Sequence, residues 1–110
     1  MKIPFMKAQG AGNDFIIVDK NVDFIRKSKK VIKRLCDRRF GVGCDQLILI
    51  KKINSYYQIT FYNSDGSLGK NCGNGLRCAY KFLVEVKKVK KAVIKTVSYT
   101  HLRAHETCGH

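Results

Sequence analysis

The sequence predicts a single mixed α/β domain in which strands outnumber helices. Five apolar segments have the length of strands, whereas two longer segments repeat their apolar residues at helical spacing. The second of these helices carries an apolar stripe long enough for a sheet to pack around it. With 110 residues, the chain is at most one ordinary domain.

The first part of the chain predicts two strands followed by a helix. Residues 3–7 form a short strand, residues 8–14 a glycine-containing loop, and residues 15–18 a second, buried strand. Asp23 is expected to cap a helix that runs to Cys36, because the apolar residues between them share one stripe: Phe24, Ile25, Val31, Ile32 and Leu35.

The second part predicts three strands and a longer helix. After a turn-rich connection, residues 47–50 and 58–62 are expected to be strands, with a turn at Asn54 and Ser55. A loop over residues 63–71 leads into a helix over 73–86. One side of that helix is apolar, and residues 92–96 then form the last strand. The apolar side consists of Leu76, Ala79, Tyr80, Leu83 and Val86.

The last segment, residues 97–110, does not continue this pattern, and we expect the domain to end at residue 96. The segment contains all three histidines of the chain, and His101 and His105 are spaced as metal ligands on a helix would be. However, the string resembles a translated sequencing-adapter tail rather than native sequence. We therefore expect no metal site and no function in this segment.

The composition restricts the classes of protein to be considered. The formal charge is +14, with Lys and Arg concentrated in residues 26–39 and 87–95. A small basic nucleic-acid-binding module is one alternative that this charge leaves open. However, the first basic stretch alternates with apolar residues at helical spacing, which places much of its charge on a solvated face. No aromatic-rich strand of the RNA-recognition type is present, so we expect no nucleic-acid partner.

The start of the chain and its cysteines indicate a cytoplasmic protein. No apolar run approaches the roughly 20 residues that span a bilayer, and the first residues contain no apolar core of a signal peptide. The five cysteines are irregularly spaced and include no CxxC pair, so neither a zinc ribbon nor a redox dithiol is indicated. Without a secretion signal, these cysteines are expected to be free thiols.

Residues 61–78 provide the most informative functional pattern. A β-rich stretch ends in a polar loop, and Cys72 then lies where an amphipathic helix begins. The helix dipole favours a thiolate at that position, and the free N–H groups of Gly73, Asn74 and Gly75 can hold an anion. A base beside an anion pocket is suited to removing a proton next to a carboxylate.

Three amide-bearing residues, Asn13, Gln46 and Asn63, lie at or near predicted strand ends in three separate loops. Carboxamides can donate to a carboxylate and accept from an ammonium group, so together they could bind a zwitterionic amino acid. The spacing alone does not show that these loops converge.

Four motifs occur in the order and with the gaps of a known family, and the chain resembles the N-terminal half of diaminopimelate epimerase. The resemblance extends from residue 2 to about residue 96. The motifs are GAGNDF at residues 10–15, RFGVGCDQ at 39–46, FYNSDGS at 61–67 and CGNGLRC at 72–78.

The resemblance implies one half of a two-domain fold, with a curved mixed sheet around the central helix, and a reaction that needs no cofactor. It implies that Cys72 is one of two catalytic cysteines, which remove and return the α-proton on opposite faces and thereby interconvert LL- and meso-diaminopimelate. It also implies substrate contacts from the three amides, with a contribution from Gly73 and Asn74 at the helix start.

The family's chains are more than twice as long, and the second cysteine belongs to their other half. We therefore expect this chain to be a fragment that is inactive alone, in lysine and peptidoglycan-precursor biosynthesis. The resemblance is compatible with a homodimer of the full-length enzyme and implies no membrane partner. The alternative within the enzyme class is a related cofactor-independent racemase or isomerase of another small acid.

Overall fold

The computed structural model describes residues 3–70, 73–91 and 93–96, together with the backbone of residues 102–103. These residues form three helices and six strands. The helices are α1 (Val22–Arg26), α2 (Lys29–Cys36) and α3 (Gly73–Glu85). The strands are β1 (Met6–Gly10), β2 (Asn13–Val18), β3 (Gln46–Ile53), β4 (Tyr56–Asn63), β5 (Val93–Thr96) and β6 (Leu102–Arg103).

The strands form one mixed sheet in which the spatial order follows the chain, from β1 to β6. The β2–β3 and β4–β5 pairs are parallel, whereas the other three pairs are antiparallel. Each parallel pair is joined through helical segments on one face, as parallel strands require. The predicted mixed α/β class is therefore confirmed.

The sheet is covered by helices on both faces. Alternate residues of β2 and β3 point to opposite sides, so Ile17 and Ile48 pack with α3, whereas Ile16 and Leu47 pack with α1 and α2. Because these central strands are buried on both faces, their sequences are continuous apolar runs. The packing against α3 agrees with the prediction, and the second layer formed by α1 and α2 was not anticipated.

The single helix predicted up to Cys36 is wrong, because the chain forms two helices that are separated at Lys27 and Ser28. Ser28 has an extended backbone, and its hydroxyl accepts a hydrogen bond from the Val31 N–H at 3.3 Å, which begins α2 as an N-cap does. Asp23 lies in the first turn of α1 and does not cap it. Phe24, expected in the apolar stripe, is 47% exposed.

We expect replacement of Ser28 by alanine to lower the free energy of unfolding by about 1 kcal/mol, because the first turn of α2 loses its side-chain acceptor. Urea unfolding of the chain measures this loss. Ser55→Ala, in the exposed turn between β3 and β4, is the control and should change stability by less than about 0.5 kcal/mol. Equal losses in the two variants would contradict the capping role.

The predicted loop over residues 8–14 is also wrong, since β1 and β2 pair throughout most of it. Gly10 is paired with Asn13, and only Ala11 and Gly12 form the turn. Both turn residues have positive φ, 50° and 90°, as a two-residue turn that matches the strand twist requires. The glycines that suggested an irregular loop instead allow a tight hairpin.

The first strand is displaced from the predicted residues 3–7 to Met6–Gly10, and the remaining predicted elements are confirmed with shifted ends. The β3–β4 hairpin is longer than predicted and turns at Asn54 and Ser55 as expected. Helix α3 ends one residue earlier than predicted, and β5 agrees with the last predicted strand. In the predicted apolar side of α3, Val86 is 45% exposed, whereas Phe82, which was not included, is buried.

Within the segment 97–110, the backbone of Leu102–Arg103 pairs with β5 as the short strand β6. His101 and His105, for which no metal site is expected, lie outside the described residues. Residues 3–70, 73–91 and 93–96 contain no helix that is long and apolar enough to cross a bilayer.

Candidate active site

The starts of β2 and β3 and the end of β4 lie at one edge of the sheet. Phe15 is the register partner of Gln46 in the parallel pair, and Gln46 is the register partner of Asn63 in the antiparallel pair. Phe15, Gln46 and Asn63 therefore lie side by side across the three strands and form one row of the sheet at this edge. Asn13 begins β2, two residues before the same row.

Gln46 and Asn63 are in contact through their side chains. The Gln46 Nε2 group donates to the Asn63 Oδ1 atom at 3.4 Å, which is a long and therefore weak hydrogen bond. The Asn63 Nδ2 group donates to the Ser67 Oγ atom at 3.0 Å. Both amide side chains are partly buried, so this edge presents polar groups that a bound ligand could engage by replacing the weak bond.

Gly69 lies directly against this amide pair. Its N–H donates to the Phe61 carbonyl at 2.7 Å, and a Cβ atom there would lie 2.9 Å from Gln46 Nε2 and 3.0 Å from Asn63 Oδ1. Glycine therefore permits the close approach of the backbone to both amides. This role of Gly69 was not predicted from the sequence, although the residue lies within the polar loop that precedes Cys72.

The first turn of α3 lies over the same edge. A Cβ atom on Gly75 would lie 2.5 Å from Phe61 Cε1 and 3.3 Å from Phe15 Cε1, so the helix approaches the sheet closely only because this residue is glycine. The first turn of α3 also lies against the β1–β2 hairpin, because a Cβ atom on Gly10 would lie 3.4 Å from Asn74 Cβ. Gly10 is the strand partner of Asn13.

The structure therefore brings most of the sequence-derived candidates to one edge. Gln46 and Asn63 are in contact, Asn74 lies beside the β1–β2 hairpin, and Asn13 is exposed at the end of that hairpin. Gly73 begins α3 with open space around its Cα, since a Cβ atom there would meet nothing within 4 Å. Cys72 lies outside the described residues and directly precedes Gly73 in the chain.

A charged network that sequence analysis missed holds the starts of β2 and β3 together. The Arg38 guanidinium donates to both carboxylate oxygens of Asp14, at 2.8 and 2.9 Å, and to Asp45 Oδ1 at 3.1 Å. The Asp14 N–H donates to Asp45 Oδ2, and the Asp45 N–H donates to Asp14 Oδ1. These bonds position the neighbouring Asn13 and Gln46.

The sequence contained a signal for this network. Only eight residues of the chain are acidic, and two of them are direct neighbours of the candidate amides. Asp14 follows Asn13, and Asp45 precedes Gln46. In so basic a chain, acidic residues placed beside two separate polar motifs indicate a shared cationic partner, which the structure identifies as Arg38.

The Arg38 guanidinium, which donates hydrogen bonds to the Asp14 carboxylate, holds the pKa of that carboxyl well below its usual range. The charged form of Asp14 therefore stabilises the fold above the unfolded pKa of about 3.9, and this contribution is lost as the pH falls below that value. We expect Asp14→Asn to lower the urea midpoint at pH 7, with the difference from the parent chain shrinking at pH 3.

The matched control for Asp14 is Asp23→Asn, which breaks an ion pair with Lys51 at 2.8 Å. The Asp23 side chain is 59% exposed, against 14% for Asp14, so solvent screens this pair more strongly. We expect a smaller change at pH 7 for the control. A difference between Asp14→Asn and the parent chain that grows as the pH falls would contradict the assignment.

A groove of about 750 Å³ lies on the α2 side of the sheet rather than over the amide pair. Its lining includes five basic residues: Lys30, Lys33, Arg34, Arg38 and Arg39. Arg38 is bound by Asp14 and Asp45, and the Arg34 Nε group donates to the Phe40 carbonyl at 3.0 Å.

In the part of the chain that the structure describes, no group of three or more His, Cys, Asp or Glu side chains is placed to hold a metal ion.

Two solved structures share this fold at low sequence identity. A methylitaconate-delta-isomerase aligns with a TM-score of 0.66 and 19% identity, covering 89% of this chain and 32% of that one. A phenazine biosynthesis protein of the PhzF family from Enterococcus faecalis aligns with a TM-score of 0.69 and 13% identity, covering 94% and 40%. The structural class is therefore the mixed α/β fold that these two proteins share.

The sequence comparisons define the family more closely. The family model described as diaminopimelate epimerase matches residues 5–99. Diaminopimelate epimerases of Leptospira biflexa and Natranaerobius thermophilus are 44% and 43% identical over 99 and 101 residues, which cover 87% and 86% of this chain. The chain belongs to the diaminopimelate epimerase family. It spans about a third of the length of these curated relatives, 35% and 33%.

Proposed function

We propose that this chain provides one half of the active site of a cofactor-independent diaminopimelate epimerase, with Cys72 as one of its two acid/base groups. The observation that carries the proposal is the convergence of the Gln46–Asn63 amide pair and the first turn of α3 at one sheet edge. Cys72 directly precedes that turn in the sequence. We choose diaminopimelate as the substrate because the chain belongs to the diaminopimelate epimerase family.

The chemical requirement is the removal of a very weakly acidic α-proton next to a carboxylate. Negative charge develops on the carboxylate as the proton leaves, so fixed N–H donors are needed where that charge accumulates. The first turn of α3 offers the N–H groups of Gly73, Asn74 and Gly75, and no acidic side chain lies in that turn to neutralise them. These donors are suited to the α-carboxylate of the substrate.

The amide side chains complete the proposed binding of a zwitterion. Gln46 and Asn63 each combine an acceptor oxygen with a donor NH₂ group, and the bond between them is long enough to exchange for bonds to a ligand. Asn13 lies exposed two residues before the same row of the sheet. We assign these three residues to the carboxylate and ammonium groups of the substrate.

Inversion at carbon needs a second acid/base group on the opposite face, which we place in a segment outside this sequence. The proposal accordingly gives this chain alone no epimerase activity. The proposal also includes a cytoplasmic location and no nucleic-acid partner. It is compatible with a homodimer of the full-length enzyme. Of the five basic residues in the groove, two already bind protein acceptors, which weakens the case for a polyanion there.

A chimeric enzyme tests the proposal. Residues 1–96 of this chain replace the matching segment of the Leptospira biflexa enzyme, and circular dichroism establishes that the chimera is folded. We expect conversion of LL- to meso-diaminopimelate and, in D₂O, deuterium incorporation at the α-carbon. A folded chimera without α-proton exchange would contradict the proposal.

Two further measurements, one on the chimera and one on the 110-residue chain, distinguish the alternative functions. Exchange of the α-proton of proline, but not of diaminopimelate, would favour a related racemase of another small acid. Salt-dependent retention of the 110-residue chain on a DNA column, unchanged when Cys72 is replaced, would favour the nucleic-acid-binding module.

A further inference from the structure

Two buried cysteines outside the proposed active site are in direct contact. The Cys44 thiol donates to the Cys36 sulfur, and the two Sγ atoms are 3.4 Å apart. Each residue is only 2% exposed. The contact is not required by either secondary-structure element, because Cys36 ends α2 and Cys44 lies in the connection that leads into β3.

The backbone holds the two cysteines side by side. The Cys44 N–H donates to the Cys36 carbonyl at 3.2 Å, and the N–H groups of Val42 and Gly43 both donate to the Leu35 carbonyl, at 3.1 and 3.0 Å. The connection is therefore fixed against the end of α2. Disulfide formation would shorten the distance between the two sulfurs from 3.4 Å to about 2.0 Å.

We propose that Cys36 and Cys44 form a modification site, at which peroxide converts the two thiols into an intramolecular disulfide. Both cysteines line the 750 Å³ groove, so a molecule as small as hydrogen peroxide has a route to them. This inference does not depend on the proposed epimerase function. Cys78, on the other face of the sheet beside Gly10, is not part of the pair.

The reaction balances with peroxide as the only oxidant. The Cys36 thiol loses its proton, the thiolate attacks one peroxide oxygen and the O–O bond breaks. The departing hydroxide takes up that proton as water, which leaves Cys36 as the sulfenic acid. The Cys44 sulfur then attacks the Cys36 sulfur, the S–OH bond breaks, and the departing hydroxide takes the Cys44 proton as water. In total, two thiols are oxidised and one peroxide is reduced to two waters.

The geometry also orders the two steps. The hydrogen bond from Cys44 lowers the pKa of the Cys36 thiol, whereas the same bond raises the pKa of Cys44. Because the Cys44 thiol donates to the Cys36 sulfur at 3.4 Å and stabilises negative charge on it, we assign the attack on peroxide to Cys36. Because Cys36 is the last residue of α2, the negative end of the helix dipole opposes its ionisation. The reaction should consequently be slower than that of a thiol at a helix start.

Peptide mapping of the reduced 110-residue chain tests the proposal. The chain is treated with hydrogen peroxide, the remaining thiols are alkylated under denaturing conditions, and the protein is digested with trypsin. Arg38 and Arg39 lie between the two cysteines, so digestion separates them unless a disulfide joins their peptides. We expect this joined pair, with two hydrogens lost and with release by dithiothreitol. Recovery of both cysteines alkylated, while Cys78 is oxidised, would overturn the proposal.

Single replacements test the order of the steps without requiring the disulfide. In Cys44→Ser, whose hydroxyl can still donate to the Cys36 sulfur, Cys36 should accumulate as sulfenic acid and be trapped by dimedone, whereas in Cys36→Ser the labelling of Cys44 should be at least about ten-fold lower. Higher labelling of Cys44 would overturn the assigned order. A cross-link from Cys36 to any cysteine other than Cys44 in the parent chain would overturn the pair itself.

Discussion

Replacement of Cys72 by alanine in the chimeric epimerase is expected to lower kcat for diaminopimelate by about a thousand-fold. In the proposed mechanism, each direction of the reaction uses Cys72 once, as base or as acid, and a positioned proton-transfer group contributes about 10²–10⁴-fold. Alanine can neither accept nor return the proton. Both LL-to-meso and meso-to-LL conversion should therefore fall, and so should deuterium incorporation at the α-carbon in D₂O.

The matched control is Cys78→Ala, six residues later in the chain and within α3. Cys78 is partly buried beside Gly10, and the proposed chemistry does not use it. We expect this variant to retain activity within about three-fold, because the change removes one small side chain away from the proposed reacting atoms. Equal losses in the two variants, or more than a tenth of the parent activity in Cys72→Ala, would contradict the role given to Cys72.

The second large effect is expected from Gly75→Ala, which adds a methyl group between α3 and the sheet. That methyl group would lie 2.5 Å from Phe61 Cε1 and 3.3 Å from Phe15 Cε1, and both phenylalanines are almost fully buried. Overpacking of a core typically costs about 1–3 kcal/mol. The higher helix propensity of alanine offsets up to about 1 kcal/mol of this cost. We expect a net loss of about 1–2 kcal/mol in urea unfolding.

Gly73→Ala is the control for this substitution, two residues earlier in the same helical turn. A methyl group there meets nothing within 4 Å, so only the change in helix propensity remains. Stability should stay the same or rise by up to about 1 kcal/mol. If Gly75→Ala were as stable as Gly73→Ala, the close approach of α3 to the sheet edge would be wrong. In the chimera, Gly75→Ala should also lower activity, because the helix start would move away from the edge.

Local sequence patterns predicted the elements whose structure depends on neighbours in the chain. Helix α3 and the β3–β4 hairpin were predicted because a helix repeats every 3.6 residues and a short turn separates two apolar runs. The break between α1 and α2 was missed because the apolar spacing continues across it. At Ser28, a single hydroxyl bond to the Val31 N–H starts a new helix.

The residues of the candidate site were selected from the sequence, but their arrangement was not. Gln46 and Asn63 are 17 positions apart, and their contact follows from the antiparallel register of β3 and β4. The Asp14–Arg38–Asp45 network and the Cys36–Cys44 contact depend on the parallel pairing of β2 with β3 and on the fixed return from α2.

The sequence by itself determined the mixed α/β class, the four motifs that mark the family, and the candidate residues Asn13, Gln46, Asn63, Cys72, Gly73 and Asn74. Tertiary structure decided which of the described candidates share an edge, how closely α3 approaches the sheet at Gly75, and which charges and thiols meet. The physical reason is the separation along the chain over which each kind of interaction acts. Hydrophobic periodicity and turn chemistry act over a few residues, whereas register and helix packing join residues that the chain separates by tens of positions.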